Sequence, residues 1–247
     1  MTRGEAVPLD MSRFVSIEEG TRLVAEARSR LGQVASGLRP DGPGAPILMR
    51  TVGAAAVVAR ARALHEGAVR ETLARNPPSA LTLIRALVET TAAASYVLIR
   101  EPDYVELLIN SAEAIGARAP RRRSMQYLID KAVEDGHPGI GQLYAQLSDV
   151  AHFGAGAAIL PMRTSSAGGK AWLGFSATPE WQSESRLLNA LAMIEEQTLV
   201  IAGLVEQYIE RHIAPLLADP DRADREGQIF GWASEIPPDE PPLSGES

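Results

Sequence analysis

The sequence has no cysteine among its 247 residues. Disulfide frameworks, thiolate metal sites and cysteine nucleophiles are therefore excluded. Lysine is almost absent as well, because Lys131 and Lys170 are the only two and arginine supplies the rest of the 24 basic residues. We attribute this ratio to the codon bias of a GC-rich genome rather than to a function.

The sequence also lacks long apolar runs and an excess of positive charge. No stretch reaches 18 consecutive apolar residues, so no membrane span is expected. No apolar run of signal-peptide length follows Met1 to Phe14, and we therefore expect a cytoplasmic protein. The net charge of −7 disfavours duplex DNA as the main partner, because a protein neutralises phosphates with a basic face.

What the sequence does contain is the composition of a soluble globular protein, with 45% hydrophobic and 22% charged residues. Apolar residues recur at helical spacing through most of it, and prolines, glycines and capping serines separate the segments. We predict an all-α bundle of about seven helices in one domain, residues 1–217. The predicted helices span residues 16–39, 46–76, 79–100, 102–117, 124–136, 140–153 and 185–213.

Two segments depart from this helical pattern. Short runs flanking the glycine-rich turn at Gly168 and Gly169 predict a β-hairpin over about residues 157–176. Residues 218–247 are acidic and rich in proline, which predicts a disordered tail. Phe230 and Trp232 add apolar bulk to that tail, either to dock on the body or to bind a partner.

The third predicted helix carries an unusual pair of charges. It is apolar around its whole circumference, which is typical of a central helix, yet Arg85 and Glu89 lie one turn apart in its middle. Because surface pairs usually place the glutamate first, the reversed order favours an internal ion pair. This pair is either structural or part of a ligand-binding or catalytic centre.

The sixth predicted helix offers partners for this pair. Tyr144, Ser148 and His152 lie four residues apart along one edge of its apolar stripe. The candidate ligand-binding residues are Arg85, Glu89, Tyr144, Ser148 and His152, and three of them, Arg85, Glu89 and His152, are also the catalytic candidates. No cofactor or metal is expected, since no dinucleotide or phosphate-binding fingerprint occurs.

The order of these motifs resembles a group of bacterial all-helical proteins. In these proteins an arginine–glutamate helix precedes a Leu-Ser-x-x-x-His helix, as Arg85 and Glu89 precede Leu147-Ser148 and His152 here. Some of them are regarded as distant relatives of HEPN-like and abortive-infection proteins. The resemblance covers residues 79–153 and implies a helical bundle.

Two further residue spacings in the sequence resemble catalytic or metal-binding motifs. Arg60 and His65 have the spacing of HEPN-type ribonucleases, but they lie about 140° apart on a continuous helix, and Ala61 replaces the usual polar residue. Glu134 and His137 have the Glu-x-x-His spacing of di-iron bundle proteins, but such a site needs a second copy of the motif, which the sequence lacks. Neither motif is expected to function.

The last predicted helix carries a seam of apolar residues over 187–208, interrupted by Thr198. Such a stripe must be covered, either by the third helix or by a second copy of the chain. We predict a homodimer with this helix at or beside the interface.

Three functional hypotheses follow. The leading one is a cytoplasmic helical bundle whose buried polar centre binds a small ligand or organises a partner surface. The alternatives are a metal-independent HEPN-like ribonuclease that uses His152 with Arg85, and a purely structural homodimer. The partner class is therefore a small molecule or RNA, with no membrane.

Overall fold

The computed structural model describes residues 14–39, 42, 44–102, 123–151, 162–167, 170–175, 180–181 and 183–232. Over these residues the protein is a helical bundle with two small two-stranded sheets, which confirms the predicted fold class. The helices are α1 Ile17–Ser36, α2 Met49–Leu73, α3 Pro77–Ala94, α4 Met125–Glu134, α5 Gly139–Ala151, α6 Glu184–Tyr208, α7 Ala214–Ala218 and α8 Pro220–Arg225. The strands are β1 Pro46–Leu48, β2 Met162–Ala167, β3 Lys170–Phe175 and β4 Ile229–Trp232.

Serine side chains begin several of the helices. The hydroxyl oxygens of Ser16, Ser124 and Ser183 accept hydrogen bonds from backbone N–H groups in the first turns of α1, α4 and α6. The predicted start of the third helix, at residue 79, is wrong. Helix α3 begins at Pro77, because proline needs no hydrogen-bond partner in a first turn, and Ser79 Oγ instead accepts from Asn76 Nδ2 at 2.9 Å.

Helix α6 is the centre of the bundle and packs on α1, α2 and α3. Its close approach to α1 depends on Gly20, where an added Cβ would lie 3.0 Å from Leu191 Cδ1. The predicted apolar seam is buried along its length, from Leu187 through Thr198 to Tyr208. The seam is therefore covered by the chain itself, and the homodimer stays a prediction that this burial does not require.

Two helices continue as short π-helical tracts. Ser95–Arg100 extends α3 and Ile209–Ile213 extends α6, which accounts for the predicted ends at residues 100 and 213. A π turn inserts a residue and rotates the following side chains around the axis. Through the first tract Tyr96 reaches Tyr127 of α4, with ring centroids 5.8 Å apart in an edge-to-face arrangement.

The predicted hairpin is confirmed by the antiparallel pairing of β2 with β3, from Met162 opposite Phe175 to Ala167 opposite Lys170. Residues 157–161 of the expected first strand lie outside the described residues. The fourth predicted helix, 102–117, lies outside them as well, apart from Pro102.

The second sheet was not predicted. Residues 46–48 were expected to begin a helix but form β1, and β1 pairs antiparallel with β4. Helix α8 and strand β4 therefore correct the prediction that a disordered tail begins at residue 218, while 233–247 lie outside the described residues. The backbone around Phe230 and Trp232 docks on the body through this sheet. The segment also caps α2, because the Met49 N–H donates to the Gln228 carbonyl at 2.8 Å.

Two continuous helical segments are long and apolar enough to cross a membrane by length and composition alone. These are Pro77–Arg100 and Glu184–Ala218, with 56% and 72% of their most apolar windows buried inside the protein. Central helices of a soluble bundle pass the same test, because their apolar surface is covered by other helices.

A buried histidine joins α2 to α6. His65 is 2% exposed, and its Nδ1 lies 2.8 Å from Thr198 Oγ1. The Thr198 hydroxyl donates to the Ile194 carbonyl at 2.7 Å, so it accepts the hydrogen bond that His65 Nδ1–H donates. Burial, together with the nearby charge of Arg28, lowers the pKa of His65 to about 4 against an opposing effect of Glu66. The imidazole is therefore neutral at pH 7.

The buried imidazole predicts a loss of stability in mild acid. Between the unfolded pKa near 6.5 and the folded pKa near 4, the unfolded chain binds more protons, so stability falls as pH falls. We expect the free energy of unfolding to decrease by about 2 kcal/mol from this residue between pH 7 and pH 5. Urea unfolding of the wild type and of His65→Gln at both pH values measures the difference. His137→Gln, on a half-exposed histidine, is the control, and an equal pH dependence in wild type and His65→Gln would contradict the assignment.

Candidate functional site

The predicted ion pair lies where α3 meets α5. Arg85 Nε and Glu89 Oε1 are 3.1 Å apart, and their side chains are only 16% and 22% exposed. Arg85 Nη2 donates to the Tyr144 hydroxyl at 3.3 Å, and the guanidinium carbon lies 5.3 Å from the Tyr144 ring centroid. The structure thus brings together three of the five predicted site residues, with Arg85 as the link between the two helices.

The other two predicted residues are placed differently. The Ser148 side-chain oxygen, one turn beyond Tyr144 on α5, is buried and has no hydrogen-bond partner among the described residues. His152 lies outside the described residues, so its membership of the site stays a prediction. Asp149, the residue after Ser148, is exposed.

On another side of Glu89 a cleft of about 250 Å³ opens between α2, α3 and the first residue of α4. Arg60 at this cleft is held by α3, because its Nε donates to Thr90 Oγ1 at 3.1 Å. Thr90 in turn donates to the Ala86 carbonyl at 2.7 Å, which fixes the hydroxyl. The residues that line the cleft are Ala56, Val57, Arg60, Glu89, Thr90, Ala93 and Met125.

The cleft has a polar end and an apolar end. Helices α2 and α3 run antiparallel, since Arg60 contacts Thr90 while an added Cβ on Gly67 would lie 3.3 Å from Leu83 Cδ1. One turn away from Arg60 and Thr90, alanines and larger apolar side chains line the walls. A helical turn rises about 5–6 Å, so the two ends are separated by roughly that distance.

The two charged residues at the polar end, Glu89 and Arg60, differ in their contacts with the rest of the protein. Glu89 has Arg85 as its ion partner. Arg60 forms a hydrogen bond to the neutral Thr90 hydroxyl. It forms no ion pair with any of the described residues. A guanidinium has five N–H donors, so after the bond from Nε the four terminal ones are available to solvent or a ligand.

Arg60 is the site residue that the sequence analysis undervalued. Its spacing to His65 suggested a ribonuclease pair, but Arg60 contacts α3 whereas His65 contacts α6, so the two do not converge within the chain. That this spacing does not function as a ribonuclease pair stays a prediction. The small residues Ala56 and Ala93, which leave the space beside Arg60, were the available signal.

The other discounted motif is also explained by contacts. Glu134 pairs with Lys131 at 2.7 Å and with Arg100 at 3.1 Å, which accounts for its charge without a metal. Within the described part of the chain, no three histidine or acidic side chains cluster as metal ligands would.

Comparisons with protein-family models, with curated proteins and with solved structures gave no match to this chain. The interpretation of the site therefore depends on its own geometry.

The half-buried ion pair predicts a measurable contribution to stability. Glu89→Ala leaves Arg85 without its carboxylate, and we expect a loss of about 2 kcal/mol, between the small value of exposed pairs and the larger value of buried ones. Chemical denaturation measures it. Glu134→Ala is the matched control, because that carboxylate is 49% exposed and its loss should cost clearly less than the loss of Glu89. Equal effects of the two substitutions would show that the Arg85–Glu89 pair behaves as a surface pair.

Proposed function

We propose that this protein is a cytoplasmic small-molecule binder, and that the cleft between α2 and α3 holds an amphipathic ligand with an anionic group. The observation that carries the proposal is the Arg60 guanidinium at one end of an otherwise mostly apolar cleft. Small-molecule sites typically combine apolar walls with a few placed polar groups that fix the orientation of the ligand.

The Arg85–Glu89–Tyr144 cluster supports this function as the rigid wall of the cleft. Arg85 fixes the Glu89 carboxylate, and Tyr144 fixes Arg85 against α5. A wall held in this way loses little side-chain entropy when a ligand binds, which favours affinity. In this proposal Arg85 and Tyr144 of the predicted polar centre support the site, and Glu89 also lines the cleft.

The apolar end supports a ligand with a hydrophobic body. Ala56 and Ala93 are small, so the opposing helices leave room between them, and Met125 is a flexible apolar side chain at the edge. Burial of apolar ligand surface there contributes roughly 25 cal/mol per Å².

Anilinonaphthalene sulfonate tests the proposal, because it joins an aromatic body to a sulfonate and fluoresces when bound in an apolar site. We expect saturable binding by the folded protein, weakened about tenfold by Arg60→Gln through loss of the charged hydrogen bonds. We also expect Ala93→Met to weaken it, because the longer side chain fills the cleft. Fluorescence titration measures both effects.

The matched controls lie on α2 but are not among the residues that line the cleft. Arg62→Gln removes an exposed arginine from α2, and Ala55→Met enlarges an exposed alanine there. Neither should change the affinity for the dye. Binding that is insensitive to Arg60→Gln and Ala93→Met would place the dye elsewhere and overturn the proposed site.

The ribonuclease alternative makes a separate prediction. We expect no cleavage of single-stranded RNA in the absence of divalent metal, because the net charge is −7 and Arg85 is engaged by Glu89 and Tyr144. Gel analysis of RNA incubated with the purified protein measures this. Cleavage by the wild type that His152→Ala abolishes, with the fold retained, would establish the alternative instead. The structural homodimer stays a further prediction.

A further inference from the structure

The polar end of the cleft presents both signs of charge. Arg60 lies on α2 and Glu89 on α3, next to the Thr90 that Arg60 contacts. Glu89 Oε1 faces Arg85 at 3.1 Å, while Oε2 makes no hydrogen bond to a described residue. The site therefore offers guanidinium N–H donors from one helix and a carboxylate acceptor from the other.

A ligand that carries only an anion would use half of this arrangement. Its charge would be attracted by Arg60 and repelled by Glu89, whose own charge Arg85 offsets from the far side. A ligand that carries only a cation would be attracted by Glu89 and repelled by Arg60. A ligand with adjacent opposite charges would pair with both residues, because its anion would face Arg60 and its cation would face Glu89.

The size of the cleft limits the ligand. A volume of about 250 Å³ is at the small end for a ligand pocket. The distance of one helical turn between the polar and apolar ends, about 5–6 Å, matches a head group followed by a short apolar chain. Branched or unbranched aliphatic chains fit against the alanine and valine walls, and the flexible Met125 can adjust to their shape.

We propose that the ligand is a zwitterion, an α-amino acid with an aliphatic side chain. Its carboxylate accepts hydrogen bonds from Arg60, its ammonium donates to Glu89, and its side chain lies between Ala56 and Ala93. This inference rests on the proposed binding function and names the ligand class of the same cleft. Glu89 then has two tasks, since one oxygen holds Arg85 and the other binds the ligand.

The test compares three probes that share the same branched 3-methylbutyl chain and differ in their charged groups. Leucine carries both charges, isocaproate only the carboxylate, and isoamylamine only the ammonium. Isothermal titration of each probe into the wild-type protein at pH 7 measures the dissociation constants. We expect leucine to bind about tenfold more tightly than either single-charge probe, because it gains one additional charged hydrogen-bonding contact.

Two substitutions assign each charge to its residue. Arg60→Gln should weaken leucine and isocaproate about tenfold and leave isoamylamine unchanged. Glu89→Gln should weaken leucine and isoamylamine and leave isocaproate unchanged or bound more tightly. Arg62→Gln is the control for both. Because Glu89 also supports the fold, circular dichroism verifies each variant, and the comparison of probes in the wild type needs no variant.

The outcomes separate this inference from the proposed function. The zwitterion proposal is overturned if isocaproate binds as tightly as leucine, or if leucine does not bind. In either case, dye binding that depends on Arg60 would still support the proposed function of the cleft. Binding of the dye, leucine and isocaproate that Arg60→Gln leaves unchanged overturns both.

Discussion

The burial of most of one helix, α6, is the constraint on which the rest of the molecule depends. Its apolar residues extend over most of its circumference, and α1, α2 and α3 cover them. Within this core the buried His65 is hydrogen-bonded to Thr198, whose hydroxyl donates to the Ile194 carbonyl. The helices around α6 are thereby fixed in register, including the two that form the cleft.

Helix α3 transmits this rigidity to the candidate site. One side of it is core, with Ile84, Leu87 and Val88 fully buried, while Arg85 and Glu89 lie on the side that faces α5 and the cleft. Because core and site residues alternate along the same few turns, the charged groups are held by packing rather than by loops. The geometry of the candidate site is therefore set by the packing of the bundle.

The helices and the ion pair were readable from the sequence because both leave local signals. Helical periodicity and capping serines fixed α1 and α4, and the apolar circumference of α3 indicated the internal pair and its contact with Tyr144. Strand β1 was missed because Pro46–Leu48 is a short apolar run like the start of a helix, and its partner lies far along the chain. The cleft was missed for the same reason, since the space beside Arg60 is set by the distance between two helices.

The pairing of Pro46–Leu48 with Ile229–Trp232 has a consequence for synthesis on the ribosome. The first N–H of helix α2, from Met49, donates to the carbonyl of Gln228, which is translated only after nearly all of the described chain. At about 5–20 residues per second, that wait is on the order of ten to forty seconds. Throughout it, Leu48 and the open edge of β1 lack the strand that covers them, so the nascent chain completes its fold only when its last described strand emerges.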